Sequence, residues 1–345
     1  MAKIIDVAKR AGVSIATVSR VTNRQGNVKK STEQKVLEAI KELNYIPNFP
    51  ARYLKTKRTL TIGMVVPDIT NPFFPIVFRG AESVVKQEDY TIILCNTFED
   101  EYEEMRYLSI LEAKKVDGIL LIKAPPRSGN EQYMQKLNNL PVPIVYVDRL
   151  PKLQDIPAVV ADNIGGGYAA TTHLIKLGHR NIAIITVQYP LSVHRERLQG
   201  YVKALREHNI PINRFYIKQG ASTIEEGTSL GHSLINMKDR PTAIFVTNYK
   251  MTIGLMRALE MAGLQCPEDI SIVGYDDFEW ENVFHPRLTV VAQPARQMGQ
   301  TAAQLLIKIL RDGVDSLPNK RVILSSELKI RESCGIYRQN KLGKP

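Results

Sequence analysis

From Thr61 onward, apolar runs of three to five residues alternate with longer stretches of helical period, and that alternation constrains the architecture more than any other feature of the 345-residue chain. One set comprises Ile62-Gly63-Met64-Val65-Val66, Ile92-Ile93-Leu94, Gly118-Ile119-Leu120-Leu121-Ile122 and Ile144-Val145-Tyr146-Val147. A second comprises Ile182-Ala183-Ile184-Ile185, Ala243-Ile244-Phe245-Val246 and Ile270-Ser271-Ile272-Val273-Gly274. Runs this short and this apolar suit strands buried on both faces, and parallel strands need helical crossovers between them. The repetition therefore predicts an α/β body of two doubly wound parallel-sheet lobes, with their boundary near Asp162. The length leaves room for a small domain in front of that body.

Residues 6–20 supply the small domain's signature. Val7, Ala8 and Ala11, with Ile5, form an inward face, Gly12 and Val13 make a turn, and Ser14 suits the N-cap of a second helix. That helix is expected from Ile15 to about Asn23, with Val18 and Val21 or Thr22 inward. Ile15, Ala16, Ser19 and Arg20 turn away. A helix-turn-helix reads bases with the N-terminal part of its second helix, so Ile15, Ala16 and Arg20 are the candidate readers. Ser14, Thr17, Ser19 and Asn23 complete the candidate DNA-contacting set. Arg20 could bond guanine O6 and N7 together, whereas Ile15 and Ala16 offer apolar contact to a thymine methyl. Spacing alone fits a small helical hairpin with a solvated arginine equally well.

Charge separates the two readings. Residues 1–58 hold 13 Lys or Arg against 4 acids, so +9 of the chain's net +11 lies there and the other 287 residues carry +2. Positive charge concentrated on a helix-turn-helix pattern is the footprint of a polyanion binder, driven by counterion release from phosphates. A third helix completes the headpiece: Ser31 is expected to cap it, Gln34 to close a capping box, Val36, Leu37, Ile40 and Leu43 to face inward, and Asn44 to stop it.

The headpiece, together with Pro47-Asn48-x-x-Ala51-Arg52-x-Leu54 and Asn71-Pro72-Phe73-Phe74, resembles the lactose/galactose repressor family (LacI/GalR) of bacterial transcription regulators, over Ala2 to about Tyr337. The resemblance implies a type I periplasmic-binding-protein-like core behind the headpiece. It implies a headpiece over 1–47, a hinge and linker over 48–60, a core over 61–337 and a basic tail over 338–345. Within the core, one lobe would take 61–161 and 292–324, the other 162–291 and 325–337. It also implies a hinge helix over 48–56, in which Leu54, with Ala51 beside it, wedges into the minor groove and kinks the operator. Two positions depart from the family pattern: Lys3 stands where a Ser or Thr commonly caps the first helix, and Pro50 lies inside the hinge, where only a first helical turn tolerates it.

In such sheets ligands bind beyond the carboxyl ends of strands, here between the lobes. Phe73, Phe74, Asp148, Asn248 and Asp276 each follow a strand. The resemblance adds Arg197, at the family's Arg-x-x-Gly position, with Arg195 beside it. Arg197 and Asp276 would grip polar groups of a small effector while Phe73 or Phe74 stacks on its apolar face; the nearby arginines make a sugar acid as attractive as a sugar. Tyr249 stands where the family commonly has Asp.

Enzyme signals are weaker. Gly165-Gly166-Gly167-Tyr168-Ala169-Ala170 satisfies a loose dinucleotide fingerprint, but Thr186-Val187-Gln188-Tyr189 lacks the acid that would hold a ribose. The triplet is better read as a tight strand-to-helix turn. The six histidines have no metal-ligand spacing, no nucleophile elbow or P-loop occurs, and Cys95, Cys266 and Cys334 suggest no disulfide framework. No cofactor, metal or catalytic residue is expected. With no apolar run of 18 residues and no leader pattern, a cytoplasmic location is the default and no membrane contact is expected.

One headpiece reads one half-site, so a homodimer on a pseudo-palindromic double-stranded operator is expected, without a tetramerising heptad in the tail. The resulting expectation is an effector-controlled repressor of a carbohydrate-use operon. Two alternatives stay open: control by a phosphocarrier protein as corepressor, or a small-molecule-binding or NAD-dependent enzyme with a basic leader.

Overall fold

The computed structural model describes residues 2–22, 28–45, 58–126, 133, 135, 137, 139–151, 155–188, 191–278 and 285–337. The chain forms two compact units, Met1–Thr59 and Leu60–Pro345. Asn23, the hinge with Pro50, Ala51 and Leu54, and the tail over 338–345 lie outside the described residues.

In the first unit, helices α1 (Ile4–Ala11), α2 (Ile15–Thr22) and α3 (Lys30–Glu42) close around Val7, Ala8, Val18, Val21, Val36 and Ala39. Lys3 cannot cap α1 with its side chain, so Asp6 accepts a 2.8 Å bond from the Lys3 backbone N–H instead. Gly12 takes the left-handed conformation at φ 67°, and Ser14 Oγ accepts from the Thr17 N–H at 3.1 Å, which starts α2.

Three expectations about these helices need correction. Ile5 is exposed and Ile4 packs in its place, because positions 4, 7, 8 and 11 share one helical face. Leu37 is likewise 52% exposed; the inward stripe runs through Val36, Ala39, Ile40 and Leu43, and position 37 lies about 100° round from Val36. Ser31 is not the cap of α3. The helix begins at Lys30 with Lys29 at the capping position and no side-chain bond, which leaves Ser31 and Gln34 exposed.

The second unit contains strands β1 (Thr61–Val66), β2 (Thr91–Asn96), β3 (Gly118–Leu121), β4 (Ile144–Val147), β5 (Ala158–Ala161), β6 (Ile182–Val187), β7 (Ile217–Gly220), β8 (Ala243–Val246), β9 (Ser271–Tyr275), β10 (Thr289–Ala292), β11 (Arg321–Leu324) and β12 (Glu327–Lys329). They form two six-stranded sheets, in the orders β11-β5-β4-β3-β1-β2 and β12-β10-β9-β8-β6-β7. Every pairing is parallel except β10 with β12. The chain leaves the first sheet after Ala161, returns after Ala292, and passes to the second again after Leu324. Strands β5, β7, β10, β11 and β12 went unseen in the sequence: they have three or four residues, and β7, β11 and β12 include charged ones, so they carry little periodic signal.

Packed on the sheets are α4 (Phe73–Val85), α5 (Glu101–Ala113), α6 (Asn163–Lys176), α7 (Ser192–Glu207), α8 (Ile224–Ile235), α9 (Tyr249–Met261) and α10 (Ala295–Asp312). The glycine triplet lies in the first turns of α6, where the Asp162 carboxylate accepts from the Gly165 N–H at 2.7 Å. A Cβ on Gly167 would collide with the Arg197 carbonyl, and one on Gly200 with that of Ile164, so these glycines bring α6 and α7 into backbone contact. That close approach sets the position of Arg197 relative to α6.

Candidate functional site

The headpiece presents Ser14, Ile15, Ala16 and Arg20 on an exposed face of α2, with Thr17 and Ser19 half-buried beside them. Ile15 is 46% exposed, a large apolar side chain left on the surface next to a cation. Val18 and Val21 hold the opposite face in the core, so substitutions on the outer face leave the fold intact. Arg20→Ala is expected to weaken specific operator binding by about 5- to 150-fold, the worth of one bidentate guanine contact, and to change binding to random duplex little. Competition binding at one fixed salt concentration checks this, and an equal loss on both duplexes would show that Arg20 reads phosphate only.

In the body, two aspartates occupy corresponding places in the two sheets. Asp148 follows β4 and Asp276 follows β9, each with its N–H still bonded to the neighbouring strand, at Val159 and Val291. Both adopt positive φ, 62° and 76°, a conformation that strains any residue with a side chain and turns the carboxylate off the strand end. Both are buried.

Arg197 is close enough to act electrostatically on both carboxylates. It is 4% exposed, donates from Nε to Asn163 Oδ1 at 2.9 Å and from Nη1 to the Thr247 carbonyl at 2.7 Å, and stacks 3.6 Å over the Tyr275 ring. On the first-lobe side Arg149 is held bidentately by Glu99 at 2.6 and 3.0 Å, donates to the Lys123 carbonyl, and lies 5.5 Å from the Phe74 ring centroid. Gln293 donates to Asp276 at 2.6 Å.

Burial pushes the Asp148 carboxyl up to about 6; Arg149 and Arg197 oppose the shift, while Asp276 and Glu196 add to it. Asp276 is raised by burial too, against Arg197 and the Gln293 bond. His194, one helical turn before Arg197 on α7, is held well below its usual range by burial and by Arg197 and Arg149, so it is a neutral imidazole. Asp148 Oδ1, His194 Nδ1 and Gln293 Oε1 are buried and have no hydrogen-bond partner among the described residues. Gln293 also lines a cavity of about 370 Å³, together with Phe73, Asp276 and Phe278 among others; Asp148, His194 and Arg197 are not part of its wall.

The structure thus brings Asp148, Arg197 and Asp276 together and sets Phe73 on the cavity wall, while Phe74 is buried beneath Arg149. Arg195 is not part of this group. It is exposed on the outer side of α7, because a two-residue step turns a helix by about 200°. Asn248 has both polar ends occupied: it caps α9 by accepting from the Met251 N–H at 3.1 Å and donates to Ser222 at 2.8 Å. Three residues of the site escaped the sequence reading. Gln293 follows β10, which was unseen; Arg149 adjoins Asp148; and His194 shares a helix face with Arg197 at i, i+3. Among the described residues no cluster of His, Cys, Asp and Glu could hold a metal, and no helix is long and apolar enough to cross a membrane.

A helix-turn-helix unit together with a two-lobed, parallel-sheet body defines a regulator of the periplasmic-binding-protein-like class. The family models agree: residues 3–48 match "Bacterial regulatory proteins, lacI family" and residues 171–334 a "Periplasmic binding protein-like domain". The HTH-type transcriptional repressor PurR of Vibrio vulnificus is 38% identical over 335 residues, covering 96% of this chain and 98% of that protein. Among solved structures, a lac repressor dimer bound to operator and the anti-inducer ONPF matches with TM-score 0.83 and 28% identity over 97% of this chain and 99% of that one. The transcriptional regulator CelR–cellobiose complex matches with TM-score 0.73 and 31% identity over 96% and 100%. The chain belongs to the lacI family of bacterial regulatory proteins. It is a DNA-binding transcriptional repressor, not an enzyme, as its relatives are.

Proposed function

We propose that this repressor works as a homodimer on a pseudo-palindromic operator and is controlled by an uncharged, hydroxyl-rich small molecule, a sugar, held between the lobes. The observation that carries the reading is the set of buried acceptors without partners, Asp148 Oδ1 and Gln293 Oε1, at the strand ends. Carboxylate and amide oxygens accept from hydroxyls. The terminal nitrogens of Arg149 are held by Glu99, leaving only its buried Nε without a partner among the described residues, and Arg197 is held by Asn163 and Thr247. A sugar acid would bring a third negative charge beside two buried carboxylates, so the neutral sugar is favoured over the acid. The CelR complex with cellobiose supports a neutral sugar, and the lac repressor dimer on its operator supports the paired arrangement.

Control follows from differential affinity. A sugar that bridges Asp148 of one lobe and Asp276 of the other favours one lobe arrangement, and it shifts DNA affinity only by the ratio of its affinities for the two arrangements. The test is to select an operator with the full chain, then titrate the complex with cellobiose, ribose and gluconate. A neutral sugar is expected to change operator affinity by about 5- to 150-fold and gluconate to leave it unchanged. Release by gluconate alone would overturn the neutral-ligand reading, and a footprint without dyad symmetry would overturn the dimer.

A further inference from the structure

The seam between the lobes is sealed by side chains of the chain itself. Tyr249 and Phe278, both from the second lobe, are buried in a cluster whose other buried members, among the described residues, come from the first lobe and include Val66, Phe73, Phe74 and Met298. Their rings meet edge to face, with centroids 5.4 Å apart at 87°. The next residue, Lys250, places Nζ 3.1 Å from Asp68 Oδ2 across the seam. Asp68 is fixed for that role, since its Oδ1 accepts from the Thr70 N–H at 3.0 Å and the Thr70 hydroxyl at 2.6 Å, which leaves Oδ2 for the lysine. Tyr249 and Lys250 form the first turn of α9, whose start is anchored by the Asn248 cap.

We propose that Tyr249, Phe278 and the Lys250–Asp68 pair form a latch that holds the lobes shut, so that a ligand reaches the cleft only when the latch releases. Opening the seam would return two aromatic side chains to water and separate a half-buried ion pair. The latch borders the cavity itself, since Phe278 lines it together with Phe73 and Asp276. The acid that the resemblance implies at position 249 could not be seated in this apolar cluster, against Phe278, without stripping water from a charge. The regulatory meaning of the latch rests on reading the cleft as the effector site; the closure itself does not.

Hydrogen exchange on the full-length, ligand-free protein tests it. Tyr249→Asp and Lys250→Met are each expected to speed exchange of amides in 63–78 and 246–256 by about tenfold, with amides of β6 and β7 unchanged, while Lys250→Arg keeps the slow rate. Exchange at the original rate in Lys250→Met, or an increase that Lys250→Arg shares, would overturn the latch. Should Tyr249→Asp accelerate exchange throughout β6 and β7 as well, that variant has lost its fold and the two lysine variants decide the matter. Sugar binding is measured separately by calorimetry with cellobiose and ribose; its failure would strike the effector reading and leave the exchange result standing.

Discussion

Replacing Arg197 with methionine is expected to lower the unfolding free energy of the body by about 3–5 kcal/mol and to abolish any response to sugar. Methionine has a similar reach but no donor. It would leave Asn163 Oδ1 without its strongest donor and the Thr247 carbonyl without its guanidinium, and would strip the cation from the Tyr275 ring. The same cation holds down the carboxyls of Asp148 and Asp276, so both would shift further upward. Arg197→Lys keeps the charge but cannot make both bonds in one plane, and an intermediate loss is expected. Urea unfolding of the full chain measures both variants. A methionine variant as stable as the parent would mean that the buried guanidinium and its partners contribute nothing net.

Asp148→Asn is expected to stabilise the ligand-free protein near neutral pH while destroying its response to sugar. In the fold this carboxyl titrates at about 6, against an ordinary value of 3.8. Between those two values the folded chain holds a proton that the unfolded chain has released, so stability falls as pH rises through the window, and the penalty is complete above it. A shift of about two pH units corresponds to roughly 3 kcal/mol as an upper limit, which asparagine would recover at about pH 7.5 and not at about pH 4. Glu104 is also raised by burial, to about 7, but it is present in both proteins and cancels in the difference. Urea unfolding at the two pH values checks the sign; a gain independent of pH would show that the carboxyl is not the source. The price of keeping an ionised, strained aspartate in the ligand-free cleft makes sense if a ligand's hydroxyls satisfy it.

The parts of this protein that were legible in its sequence are those whose signal is local. Apolar runs such as Ile62–Val66 and Ala243–Val246 are self-evident strands because parallel sheets covered on both faces need nothing else. Gly12 and Ser14 mark the headpiece turn for equally local reasons. At the site, Asp148 and Asp276 were visible because each stands one residue past a legible strand. Where the signal was not local the sequence misled or stayed silent. Arg195 and Arg197 are neighbours on the page and face opposite ways on α7. Asn248 and Asp276 both follow strands, yet one is spent on capping a helix and the other faces the cleft.

The order of residues by itself determined the class of fold and the concentration of positive charge at the N-terminus, because periodicity and charge act over a few residues, and its motifs carried the resemblance to the family that the comparisons show. Only the tertiary structure decided which polar groups are satisfied. Whether Asp148 Oδ1 keeps a free lone pair, or Tyr249 finds an apolar seat across the seam, depends on atoms more than a hundred residues away in the chain. Burial and hydrogen bonding are set by those distant neighbours, and no local pattern encodes them.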